Sequence, residues 1–291
     1  MKKIVCIPAY NEENTISDII KRCKNFVDEI IVYNDGSIDK TSQIAKQAGA
    51  IVIENKENFG KGRAMKELFE YAKKNKVDVM ITIDGDGQFL PEEIPKLLKP
   101  IFEEKADIVI GYRFDNNIQM PTYRKIGNKF LDKFTNLAAD LPFRDTQGGF
   151  RSYSKKALEL IEITTDGFGV DSEILISASK KKLNIVEEKI SVIYNTGWKT
   201  SSKSPILHST EVMSSILEKI AINHPLKYLG VPGSIMIVVG IIFGVYVLVT
   251  FNEIRYFSIP YTLVSIATVL LGTILILMSV VLFSISKMSK K

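Results

Sequence analysis

Two stretches near the C-terminus constrain this chain more than any other feature: residues 228–252 and 256–286 contain no Asp, Glu, Lys or Arg. Each exceeds the roughly 20 apolar residues that carry a helix across a bilayer. The competing reading is a pair of core helices in a soluble protein, but those average about 10–14 residues. With the short polar loop 252–255 between them, the stretches predict a transmembrane hairpin with spans at about 229–251 and 259–284. Lys203, Lys219 and Lys227 precede the first span and Lys287, Lys290 and Lys291 follow the second, whereas the loop has Arg255 beside Glu253. The excess of Lys and Arg on cytoplasmic flanks then predicts both termini in the cytoplasm. Gly240 and Gly244 form a small-xxx-small spacing that permits close helix approach. Its partner is left open between the second span, a second copy of the chain, and lipid.

The remainder of the 291 residues is enough for one large domain. The formal net charge is +5, but the tail concentrates it, with Lys227, Arg255, Lys287, Lys290 and Lys291 against Glu253 alone. The preceding part is therefore nearly neutral and has no basic footprint for nucleic acid. Basic residues flank the apolar stretches instead, as expected beside anionic lipid. The two cysteines, Cys6 and Cys23, lack metal-ligand spacing and read as packed, reduced thiols of a cytosolic domain. The apolar run after Lys2 and Lys3 breaks at Pro8, too soon for a signal peptide.

Ahead of the hairpin, short Ile- and Val-rich runs at 3–7, 29–33, 50–53, 79–83 and 107–110 read as strands. Between them, helical spacing appears, as in Ala64, Leu68, Phe69 and Ala72 within 61–74. This alternation predicts an α/β fold, a largely parallel sheet covered by helices on both faces. Ligands of such sheets sit beyond the carboxyl ends of the strands. The expected division is a cytoplasmic domain at 1–205, a juxtamembrane amphipathic helix at 206–226 and the hairpin at 227–291. Val212, Ile216, Ile220 and Ala221 give the amphipathic segment an apolar stripe suited to the bilayer interface.

Polar turns follow the predicted strands. The first leads into Ile7-Pro8-Ala9-Tyr10-Asn11-Glu12-Glu13, the second into Asn34-Asp35-Gly36-Ser37 and the fourth into Asp84-Gly85-Asp86-Gly87-Gln88. Each alone has a bland explanation, since acids favour helix starts and Asn, Asp, Gly and Ser are turn residues. Together on one sheet edge they predict a ligand site. Asp84 and Asp86 on one tight loop suit a hard divalent cation, Mg²⁺ or Mn²⁺. His208 and His224 both lie just ahead of the hairpin and read as interfacial or packing residues, not as general bases.

With Asn58-Phe59-Gly60-Lys61-Gly62, Gly111-Tyr112-Arg113 and Asp145-Thr146-Gln147-Gly148-Gly149-Phe150-Arg151 added, the ordered set resembles glycosyltransferase family 2. The resemblance covers about residues 3–205 and lies nearest the dolichyl-phosphate mannose synthase and polyprenyl-phosphate glycosyltransferase branch. It implies a GT-A fold, a Rossmann-like sheet with helices on both faces. It also implies transfer of a sugar from a nucleoside diphosphate to a polyprenyl phosphate. By position, Pro8, Tyr10, Glu12, Asp35 and Lys61 would line the nucleotide sugar, while Asp84, Asp86 and Gln88 would hold metal and diphosphate. Asn34 departs from the usual aspartate there and leaves the base unassigned. Arg113 and Arg124 would hold the acceptor phosphate, joined by Arg151 and, in the loop after the last strand, Lys199 and Lys203. Asp145 would stand at the reaction centre. For Asp171 and Glu173, orienting cationic side chains and simply favouring a helix start are both left open.

A phosphate acceptor also accounts for the missing base, because a phosphate with a second pKa of about 6 is already anionic near neutrality. Arginine forks bind it in two places. Two rivals remain: a transferase acting on a sugar hydroxyl, and a non-catalytic membrane scaffold that binds nucleotide sugars. The processive-synthase pattern Gln-x-x-Arg-Trp is absent from the sequence.

Overall fold

The computed structural model describes residues 1–113, 132, 135, 136, 142–164, 169–193 and 225–288. The chain divides into two compact units, Met1–Ile216 and Leu217–Lys291. In the first, β1 (Lys3–Ala9), β2 (Glu29–Asp35), β3 (Ile51–Asn55), β4 (Val79–Thr82), β5 (Ile108–Tyr112), β6 (Arg151–Ser154) and β7 (Ile185–Lys189) form one sheet. Its order is β3-β2-β1-β4-β6-β5-β7. The helices are α1 (Ile16–Cys23), α2 (Thr41–Gln47), α3 (Lys61–Lys74), α4 (Ile94–Phe102), α5 (Lys155–Leu160) and α6 (Val170–Lys180).

Alternate side chains of the central strands feed two separate cores. Val5, Ile7, Val32 and Ile81 pack with α1 and α4 on one face, including Ile16, Ile20, Ile94 and Leu97. Ile4, Cys6, Ile31 and Met80 pack with α3, α5 and α6 on the other, including Leu68, Phe69, Ala157 and Ile174. Burial on both faces explains why these strands read as continuous apolar runs instead of alternating ones. Phe69 and Tyr153 meet edge to face across the second core at 5.0 Å. This is a GT-A-like α/β fold, as the sequence predicts.

β6 is the exception to parallel pairing. It lies between β4 and β5 and is antiparallel to both, with Arg151 opposite Thr82 and Ile110. An antiparallel strand enters a sheet at the edge where its parallel neighbours leave. The segment ahead of β6, which carries Asp145, therefore arrives beside the turns that follow β4 and β5.

The second unit is a helical hairpin, α7 (Val231–Ile254) and α8 (Ile259–Met288), preceded by a π-helical turn at Leu226–Gly230. The candidate spans Leu226–Ile254 and Ile259–Ile285 have mean hydropathies of 2.6 and 2.7. Their outward side chains are apolar and open, with Leu248 69% exposed and Leu263 61%. Apolar surface on this scale needs a non-aqueous surrounding, so these are helices of a membrane protein and not a soluble core. A Cβ on Gly233 would come within 2.8 Å of the Gly272 carbonyl oxygen, and one on Gly240 within 2.9 Å of that of Ser265. Ser265 Oγ donates to the Gly240 carbonyl at 2.7 Å, and Gly244 also faces Ser265. The small-xxx-small spacing is thus used inside the hairpin.

Candidate active site

Three loops meet at the carboxyl edge of β1, β2 and β4. Asn11 takes a left-handed conformation, φ 58°, which asparagine tolerates better than most residues. In that position its N–H donates to Ser37 Oγ, and its Oδ1 accepts from the Ile38 N–H. The Glu12 N–H donates to Thr41 Oγ1 and the Glu13 N–H to Asp39. Thr15 Oγ1 donates to the Gly85 carbonyl, tying the first turn to the third.

Asp35 is 4% exposed, and both its carboxylate oxygens accept backbone N–H groups, from Phe59 at 3.1 Å and Gly60 at 2.7 Å. Gly36, with φ +69°, leaves no space for a side chain against Glu57 and Asn58. Asp35 therefore fastens the loop that delivers Lys61. Pro8 and Tyr10 sit half-buried at the end of β1.

Asp84 and Asp86 lie on the turn after β4, with Gln88 buried beside them, its N–H donating to Asp86 Oδ1 at 3.1 Å. Burial, then the neighbouring Asp84, pushes the Asp86 carboxyl up to about 7. Burial, then Asp86, with smaller contributions from Asp84 and Asp39, pushes Glu12 up to about 8. Carboxyls held this high form a cluster short of positive charge. Among the described residues no three His, Cys, Asp or Glu side chains form a ready metal cage. Two acidic ligands and a shell completed by substrate and water oxygens is the arrangement that Mg²⁺ accepts. The residues present therefore fit a divalent cation.

Lys61, at the start of α3, bridges Asp84 Oδ1 and Asp171 Oδ2, each at 3.0 Å. Burial opposes its charge, but Asp171 and Asp84 outweigh it, and the pKa of the ammonium is raised. Gly149 packs so closely on the Asp84 carboxylate that a Cβ there would overlap it.

Asp145 is fully buried. Arg113 grips it with Nε to Oδ2 at 2.6 Å and Nη2 to Oδ1 at 2.9 Å, and the Arg113 N–H adds a third bond at 3.2 Å. Arg113 also lies 6.0 Å from the Phe89 ring centre. The guanidinium expected on an acceptor phosphate is thus already carrying a carboxylate. Glu187 of β7 accepts the N–H groups of Arg144 and Asp145, and burial raises its pKa. Asp132 accepts both the N–H and the hydroxyl of Thr146 at 2.8 and 2.7 Å. Neither Glu187 nor Asp132 stands in a recognisable motif, so sequence reasoning missed them.

Arg151 corrects the sequence expectation. It is wholly buried, and Nε, Nη1 and Nη2 donate to the carbonyls of Gly148, Asp171 and Thr146. Its place on β6, in mid-sheet, aims it inward to pin the Asp145 loop, with all three guanidinium nitrogens on backbone carbonyls. Asp171 opens α6 on Lys61, while Glu173 accepts from the N–H and hydroxyl of Thr164. Arg124, Lys199, Lys203, His208 and His224 lie outside the described residues.

Residues 4–161 match the family model described as "Glycosyl transferase family 2". The chain belongs to this family. It is 34% identical over 211 residues to the UDP-N-acetylglucosamine–dolichyl-phosphate N-acetylglucosaminyltransferase of Methanococcus voltae, covering 65% of this chain and 84% of the relative. It is 31% identical over 198 residues to the dolichol-phosphate mannosyltransferase of Pyrococcus furiosus, covering 63% and 54% of the two chains. Among solved structures, glucosyl-3-phosphoglycerate synthase from Mycobacterium tuberculosis, in complex with Mn²⁺, UDP and phosphoglyceric acid, has a TM-score of 0.60. That likeness, at 20% identity over 75% of this chain and 78% of the other, is one of fold. The family 2 chain described here is an enzyme, a glycosyltransferase.

Proposed function

We propose that this enzyme transfers a sugar from a nucleoside diphosphate to dolichyl or another polyprenyl phosphate, in one displacement with inversion. The observation that carries the reading is the acidic Asp84–Asp86 turn within electrostatic reach of Arg113, itself paired with the buried Asp145, in a chain that also has an apolar hairpin. The names of the dolichyl-phosphate relatives support the acceptor class.

Asp84 and Asp86, with Gln88 beside them, would hold Mg²⁺ or Mn²⁺, which when bound supplies charge to offset the departing diphosphate. Pro8, Tyr10, Glu12 and Lys61 line the donor side. Arg124, with Lys199 and Lys203, would hold the acceptor phosphate, and Arg113 keeps Asp145 in place at the reaction centre. The phosphate oxygen attacks the anomeric carbon, the bond to the diphosphate breaks, and no side chain has to remove a proton. Holding both reactants in line makes the step effectively unimolecular. The basic flanks of the hairpin support a cytoplasmic site and cytoplasmic termini.

The test pairs purified protein and Mn²⁺ with radiolabelled UDP-N-acetylglucosamine, UDP-glucose or GDP-mannose, and with dolichyl or undecaprenyl phosphate. Label entering an organic-extractable product, lost on chelation, is the expected result and names the sugar. Donor binding with no label entering lipid from any donor overturns the acceptor assignment.

A further inference from the structure

Lys61 is placed unusually for a residue expected to bind only a donor. Its side chain is 16% exposed and stands between Asp84 and Asp171 at equal distances of 3.0 Å. The two carboxylates differ in how they are held. Asp171 is 5% exposed in the first turn of α6, where an acid favours the helix dipole. Arg151 supports it from within the sheet, with Nη1 donating to its carbonyl at 2.9 Å and Nη2 4.0 Å from its Oδ1. Asp84 is more open, its side chain 29% exposed, on the turn beside Asp86. The ammonium thus has one fixed partner and one on the ligand-facing side.

We propose that Lys61 is a transferable counter-charge: it neutralises Asp84 before a divalent cation binds and then turns to the donor diphosphate, with Asp171 as the tether that keeps it in reach. The inference rests on the metal-assisted sugar transfer proposed above. Charge balance is the reason. Lys61 would compete with a divalent cation for the Asp84 carboxylate, because like charges a few ångströms apart repel by several kcal/mol even at an effective dielectric of about 20. The diphosphate brings negative charge to the same place and gives the displaced ammonium a new partner. Asp171 never contacts the reacting atoms in this scheme and is a positioning residue. A lysine suits the role better than an arginine, being a compact charge on a flexible stem.

Loss of the competitor should improve cation binding, which a purely structural role for Lys61 would not do. The experiment measures Mn²⁺ binding to full-length protein in detergent by electron paramagnetic resonance, without nucleotide, followed by titration of UDP and GDP in the presence of Mn²⁺. Lys61→Met is expected to bind Mn²⁺ roughly tenfold more tightly than wild type and the nucleotide diphosphate roughly tenfold more weakly. Asp171→Asn, which leaves the ammonium to Asp84 alone, is expected to weaken Mn²⁺ binding roughly tenfold. Adding Lys61→Met to Asp171→Asn should restore tight Mn²⁺ binding, because Asp171 acts through Lys61. If the methionine variant fails to fold, Lys61→Gln repeats the series. Unchanged or weaker Mn²⁺ binding in the Lys61 variant overturns the inference while leaving the transfer reaction intact. A wild-type protein that binds no Mn²⁺ with or without nucleotide overturns both.

Discussion

Replacing Arg113 by methionine would keep most of the side-chain stem and remove the charge that holds Asp145. The carboxylate is fully buried, and Arg113 supplies two of its bonds from the guanidinium, at 2.6 and 2.9 Å. The third, from the Arg113 backbone N–H, would remain. Removing one partner of a buried ion pair costs about 3–5 kcal/mol, because the other charge stays behind without compensation. In a domain of about 150–250 residues each kcal/mol lowers the melting temperature by about 2–4 °C, so the fall should be on the order of 10 °C. The assay is thermal unfolding of the full chain in detergent, followed through the α/β unit. Asp145→Asn added to Arg113→Met removes the buried charge as well and should recover about 2 kcal/mol or more, read as coupling in a double-mutant cycle. Both variants should remain inactive, which separates stability from chemistry. A single variant that melts within 2 °C of wild type, or a double variant no more stable than the single, would refute the claim that Arg113 exists first to neutralise Asp145.

Arg151→Met should likewise destabilise the protein by about 3 kcal/mol or more, as expected for a buried cation with three carbonyl partners. A variant of normal stability with a raised KM for lipid phosphate would instead return Arg151 to the acceptor site. Gly149→Ala forces the Asp84 carboxylate aside; a shift of about 1 Å predicts roughly 100-fold loss of kcat, and near-normal turnover would show that Asp84 can relax. The raised carboxyls give a pH dependence of definite sign. Glu12 and Asp86, at about 8 and about 7 in the fold, bind protons more tightly there than in the unfolded chain, so stability falls as pH rises from about 4, with the loss complete above about 8. Metal-free protein should therefore melt lower at pH 8.5 than at pH 6, with saturating Mn²⁺ narrowing the gap. A metal-free protein equally stable at both values would refute the charge-poor reading of the cluster.

The hairpin was legible in the sequence because length and an absence of charge, which mark both helices, are local properties. The parallel strands were legible for a similar reason: burial on both faces leaves uninterrupted apolar runs, and the turns after β1, β2 and β4 carry their polar residues in sequence. The polar motifs also pointed to the sheet edge where Asp84, Asp86 and Lys61 meet.

What each residue does there was decided by tertiary structure. Arg151 belongs to the same motif as Asp145, yet the antiparallel insertion of β6 puts Asp145 at the edge and turns Arg151 into the sheet. Asp35 stands in a motif after β2, and its oxygens reach across to accept the Phe59 and Gly60 N–H groups of another loop. The Lys61–Asp171 and Asp145–Glu187 contacts join residues far apart in sequence, with no local pattern to mark them. Hydropathy and turn chemistry act between near neighbours and can be read along the chain. The partner of a buried charge is set by which strands and helices the fold brings together, and only the assembled sheet determines that.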